Sequence, residues 1–158
     1  MSYVSMETIL SDAENEALWQ KYDEGFAEIN RKSPFRQSVL KDEFLRIICD
    51  PTVFKAVLRD DDSHELLAVA IWSGNLDVFP WLSREFFAAE FPEEAARDAV
   101  FYTVATLSLS KRAGHMTKIM YEMARQVAAV RGRMLFDLCD ELVVSPFIPA
   151  VSVRLSRV

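Results

Sequence analysis

Glycine, cysteine and histidine are scarce in this chain, with 4, 2 and 2 among 158 residues, alongside 6 prolines. So little glycine and proline leaves no material for long flexible linkers or low-complexity tracts. No apolar run approaches the roughly 20 residues that span a bilayer. The stretch MSYVSMETILSDAENE has neither the basic nor the apolar segment of a secretory signal, so a cytoplasmic protein with no membrane partner is expected. Cys49 and Cys139 each stand alone in an apolar run, which speaks against a disulfide framework or a zinc site and gives buried thiols as the expectation. Apolar residues, in contrast, make up 51% and aromatics 11%. That is enough for one domain with a sizeable core, so residues 1–158 are expected to form a single domain.

Charge is divided along the chain. Residues 1–98 carry 10 Lys/Arg against 20 Asp/Glu, whereas residues 99–158 carry 8 against 4. An acidic whole argues against general nucleic-acid binding. A basic C-terminal part suits a small anionic ligand, or is only a solvated surface.

In chain order, Ser11 is a good N-cap for a helix over 12–32 whose stripe is Leu18, Tyr22, Phe26 and Ile29. A second helix over 39–50 turns Leu40, Phe44, Ile47 and Ile48 inward and closes at Asp50-Pro51. Two helices thus precede any strand in this reading. The runs TVFKAVLR and ELLAVAIW, separated by DDDSH, form a β-hairpin. Asp60, Asp61, Asp62 and His64 at its tip are read as a solvated turn rather than metal ligands. Residues 73–98 form an irregular helical insertion, with Ser83 capping a helix and Pro92 opening another. Phe79, Trp81, Phe86, Phe87 and Phe91 there wall a pocket or cover the sheet. AVFYTVATLSL is a central strand, and Met116, Ile119, Met120, Met123, Val127 and Val130 mark a helix closed near Gly132. RMLFDLCDE is a second central strand, and residues 151–158 could add a last one.

Between the central strand and its helix lies SLSKRAGHM. Strand, glycine turn and helix in succession leave the first helical N–H groups free and present the positive end of the helix dipole. Lys111 and Arg112 add charge, and Gly114 permits a positive φ or close backbone approach. Many such turns hold nothing, so the local chemistry leaves the question open.

The order of elements resembles the GCN5-related N-acetyltransferase family. The resemblance covers roughly residues 8–140. The family's motif in this turn is Gln/Arg, any, any, Gly, any, Gly/Ala, matched here by Lys111, Arg112, Ala113, Gly114, His115 and Met116. Gly114 matches outright; Met116 stands where a small residue is usual, harmless if it points into the core and crowding if it points outward. The resemblance implies an α/β (α+β) fold, a mixed central sheet flanked by helices, with acyl-coenzyme A in a cleft between the two central strands. It implies that the amides of Arg112–Met116 hold the pyrophosphate, and that the strand end at Thr106, Leu107, Ser108 and Leu109 pairs with pantetheine. A backbone N–H near Leu107 or Leu109 would polarise the thioester carbonyl, and His115 contacts phosphate or faces solvent.

The activity implied is acetyl transfer from acetyl-CoA to an amine of a small molecule or protein, by direct attack in a ternary complex. The candidate catalytic residues are Glu85, Glu94, Tyr102 and Asp140, with Glu141 beside the last; no metal is expected. The family's tyrosine beyond the fifth strand has no counterpart after Tyr121, and the segment from about 141 is short or altered. Alternatives are a non-catalytic acyl-CoA-binding regulator and an acyltransferase whose donor is an acyl carrier protein. An exposed final strand could pair across a homodimer.

Overall fold

The computed structural model describes residues 2–32, 39–110, 112 and 114–136. Cys139, the end of RMLFDLCDE with Asp140 and Glu141, and the segment from 141 with the candidate strand over 151–158 lie outside them.

Alternation of Val4 and Met6 with Tyr3, Ser5 and Glu7 gives the first element, strand β1 (Ser2–Glu7). A strand therefore precedes the two helices, contrary to the sequence reading. Helix α1 (Asp12–Lys32) follows. Its start is a reciprocal cap: Glu14 N–H donates to Ser11 Oγ at 3.3 Å, and Ser11 N–H donates to Glu14 Oε2 at 2.9 Å. Helix α2 (Lys41–Ile48) buries Phe44, Ile47 and Ile48. Leu40 does not join them: it is the extended N-cap residue of α2 and is 70% exposed. Cys49, at the C-cap of that helix, is also exposed rather than buried.

Strands β2 (Val53–Asp60) and β3 (Leu66–Ser73) form the expected hairpin, whose tip is a turn held by Asp60 Oδ1, acceptor from the N–H groups of Asp62 and Ser63. The insertion contains a 3-10 turn (Leu76–Val78), helix α3 (Arg84–Glu90) capped by Ser83, and helix α4 (Pro92–Ala95). Phe79 is buried there and Trp81, Phe87 and Phe91 pack on the core, while Phe86 is exposed. Strand β4 (Val100–Ser108), helix α5 (His115–Ala129) and strand β5 (Arg133–Leu135) complete the described chain. The apolar stripe of α5 is narrower than its sequence suggests, since Ile119, Met123 and Val127 are buried but Met120 and Val130 are exposed.

The sheet has the order β1-β2-β3-β4-β5, antiparallel up to β4 and parallel between β4 and β5. The parallel pair requires a crossover, and α5 supplies it. Helices α1 and α2 and the insertion cover one face through Leu18, Tyr22, Phe44, Val57, Ile71 and Tyr102. The other face packs Ala56, Leu58, Ala68, Ala70 and Trp72 under α5. Small alanines at the centre let the helix lie close.

Two polar groups are built into the first face. Arg59 joins three elements: Nε and Nη2 donate to the two oxygens of Glu7 at 3.0 and 2.9 Å, and Nη1 donates to Glu14 at 2.6 Å. Lys55 is fully buried, its ammonium donating to the carbonyl oxygens of Thr8 at 2.6 Å and Val53 at 3.1 Å.

Candidate functional site

Strand β4 carries an irregularity at its middle. Ile71 pairs with Ala105 but Trp72 pairs with Thr103, so Val104 is an extra residue and β4 has a bulge. Val104 and Ala105 consequently both pack on the α1/α2 side. Beyond the bulge the backbone is tied to β3: Leu109 N–H donates to the Leu67 carbonyl at 2.9 Å. Because successive amides alternate sides, those of Leu107 and Leu109 point toward β3 and those of Thr106 and Ser108 toward the opposite edge. Of the amides near Leu107 and Leu109, those of Thr106 and Ser108 are the ones that face this opposite edge. The described pairing with β5 runs from Val100 with Arg133 to Tyr102 with Leu135, short of the bulge.

The turn after β4 ends at Gly114, which has φ +91° and is the N-cap of α5. No atom lies within 4 Å of the position its Cβ would take, so the requirement for glycine is conformational rather than steric. The first helical hydrogen bond runs from Lys118 N–H to the Gly114 carbonyl at 3.1 Å, which leaves the amides of residues 115–117 without helical partners. Among the described residues no side chain caps them, and the first turn has no acid. By contrast, α1 and α3 are closed by serine caps.

The start of α5 borders a cleft of about 600 Å³. Arg112, Gly114, His115 and Lys118 form one wall, and Ser2 and Tyr3 of β1 with Asp61 and Leu67 of the hairpin form the other. Lys118 Nζ reaches across to donate to Ser2 Oγ at 3.0 Å. His115 is only 7% exposed, contrary to the solvent-facing alternative; its Nδ1 lies 2.5 Å from Ser110 Oγ. Met116 packs against the apolar cluster under α5, so its bulk points into the core and does not crowd the turn. Lys111 and Ala113 lie outside the described residues.

The candidate catalytic residues are scattered. Glu85 is exposed on α3, where Ser83 Oγ donates to it at 3.3 Å. Glu94 receives a hydrogen bond from Arg133 at 2.9 Å. A backbone amide and then Arg133 hold its carboxyl below the usual range, the opposite of a base poised near neutrality. Through Arg133, which pairs with Val100, Glu94 is tied to the start of β4, the end of the strand away from the Gly114 turn. Tyr102 is core: its ring packs on Phe79 at 5.0 Å, and its hydroxyl accepts from Trp81 Nε1 at 3.4 Å. Among the described residues no group of three His, Cys, Asp or Glu is placed to hold a metal, and no helix is long and apolar enough to cross a membrane.

Sequence reasoning missed Ser2, Tyr3, Asp61, Leu67 and Lys118. Only Lys118 carried a local signal, lying one helical turn beyond Gly114 and so on the same side of α5. The others reach the cleft through the pairing of β1 with β2.

No protein-family model matches the chain, and no curated protein matches it in sequence. Solved structures do match. AAC(6')-Iy, in complex with the bisubstrate analogue CoA-S-monomethyl-acetylneamine, aligns with a TM-score of 0.50 at 9% identity, over 91% of this chain and 84% of that one. An aminoglycoside acetyltransferase from an uncultured soil metagenomic sample aligns at 0.47 and 13% identity, covering 89% and 83%. A ribosomal-protein-alanine N-acetyltransferase from Brucella melitensis biovar Abortus 2308 aligns at 0.47 and 9% identity, covering 94% and 83%.

Proposed function

We propose that this chain, whose fold is that of the GCN5-related N-acetyltransferases, binds acyl-coenzyme A at the Gly114 turn and transfers the acyl group to an amine. The observation that carries the reading is the opening of α5: a left-handed glycine, three uncapped amides, and the cations Arg112 and Lys118 around one cleft. Amides and dipole at a helix start favour a phosphate diester, and the two cations add to that. Among the described residues of the lining, Asp61 is the one acid, and it sits on the far wall.

The strand supplies the rest of the alignment. The outward amides of Thr106 and Ser108 can pair with an extended, amide-bearing pantetheine arm. The bulge at Val104 turns the backbone where that arm would end. Holding donor and amine together lowers the entropic barrier to direct attack. The amine nitrogen bonds to the thioester carbon, the carbon–sulfur bond breaks, and the proton lost by the amine goes to the thiolate.

Isothermal titration with acetyl-CoA, followed by thiol release with a panel of amines, tests the reading. Saturable binding that Arg112→Ala weakens, together with amine-dependent thiol release, is the expected result. Binding with no turnover on any amine moves the chain to the regulatory alternative. Absence of binding at millimolar ligand overturns the reading.

A further inference from the structure

His115 combines three properties that a helix start does not need. It is nine-tenths buried, its Nδ1 is fixed by Ser110 Oγ, and it lines the cleft. Among the described residues its Nε2 has no hydrogen-bond partner. A buried ring anchored through one nitrogen, in a residue that lines a cleft with two cations, is arranged to present its other N–H to an anion.

We propose that His115 makes ligand binding in this cleft proton-linked, a regulation that rests on the acyl-CoA reading of the same site. Arg112 from the turn, Lys118 and the positive pole of α5, Asp61 from the hairpin tip and Tyr3 from β1 share the cleft with the ring. A diphosphate diester in the cleft adds negative charge beside the ring and so favours its protonated form. Binding then draws one proton from solvent onto His115. Nε2–H donates to a phosphate oxygen, and Nδ1–H donates to Ser110 Oγ.

Dephospho-coenzyme A is the probe of choice, because its diphosphate diester does not titrate between pH 6 and 8 and any proton linkage belongs to the protein. The expected result is binding about three- to tenfold tighter at pH 6 than at pH 8, with net proton uptake in buffers of different ionisation enthalpy. His115→Gln, which keeps an amide donor but cannot titrate, is expected to bind with an affinity independent of pH. A flat wild-type profile overturns the proposal while leaving the acyl-CoA reading standing, and so does a slope that survives in His115→Gln. No binding at any pH removes the reading and this inference together.

A second readout does not depend on that variant folding. The chain has 2 histidines, so His64→Asn leaves His115 as the sole imidazole in the proton NMR spectrum. Its titration midpoint is expected to move to higher pH on adding dephospho-coenzyme A. An unmoved midpoint overturns the proposal.

Discussion

Replacing Gly114 separates the two reasons for which a fold can need a glycine. An added Cβ meets nothing within 4 Å, but φ is +91°. Alanine therefore incurs the left-handed penalty alone, about 1–2 kcal/mol. For a chain of this size that corresponds to a fall of about 2–8 °C in melting temperature. Asparagine, which tolerates this region, is expected to cost less, and valine more. Gly132 is the opposite case: a Cβ there would lie 2.7 Å from Phe101 Cε2 and 2.9 Å from the Ala99 carbonyl oxygen. Gly132→Ala must displace β4, at about 1–3 kcal/mol. Because the Gly114 turn also carries the free amides, Gly114→Ala is expected to weaken coenzyme A binding about tenfold, which is 1.4 kcal/mol. Gly132→Ala lies at the other end of α5, and its folded fraction is expected to bind within about twofold of the parent. Urea denaturation and calorimetric titration read both effects. Equal destabilisation by asparagine and valine at position 114 would refute the reasoning, as would normal binding by a destabilised Gly114→Ala.

Three further outcomes are expected. Arg59→Met removes the shared partner of Glu7 and Glu14 and should cost about 1–3 kcal/mol at pH 7, measured by denaturant titration. Hydrogen bonding to Arg59 lowers the Glu7 carboxyl; burial raises that of Glu14, but Arg59 and Ser11 more than offset it. The network's contribution is thus complete above the unfolded value of 4.5 and fades as pH falls through the lower folded values, so the parent and Arg59→Met should converge in acid. Burial pushes the Lys55 ammonium from 10.5 to about 8, so the unfolded chain binds more protons between those values and stability should rise with pH across that window. Lys55→Met should abolish that rise in denaturation midpoints taken at pH 7.5 and pH 9.5. Tyr102→Phe keeps the ring against Phe79 and loses the contact with Trp81, so about 1 kcal/mol of stability should go while thiol release stays within about threefold; a hundredfold loss would make Tyr102 a catalytic acid.

Much of this architecture is written locally. The Ser11 cap, the DDDSH tip and the Ser83 and Pro92 helix starts are chemistry between near neighbours, and the structure has them where the residues place them. Strand β1 was harder to read because it lies at the sheet's edge and alternates Val4 and Met6 with polar partners over only six residues. Its presence makes Val100–Ser108 the fourth strand of the sheet. Leu40 carried an apolar label but sits where α2 has not yet begun, so its side chain never meets the core. The direction of Met116 depends on the rotation of α5 over the sheet, which a stripe of six apolar residues leaves undetermined by a turn's fraction. The burial of His115 depends on how α5 sits on the sheet, and the bulge at Val104 on a mismatch with β3; neither follows from local spacing.

A structure determined with coenzyme A bound is the most direct test of the site. The diphosphate is expected within hydrogen-bonding distance of the amides of residues 115–117, near Arg112 and Lys118, with the pantetheine arm along the outward edge of Thr106 and Ser108. Coenzyme A bound away from Gly114, or a fully paired sheet beside Thr106 and Ser108 with no room for the arm, would contradict it.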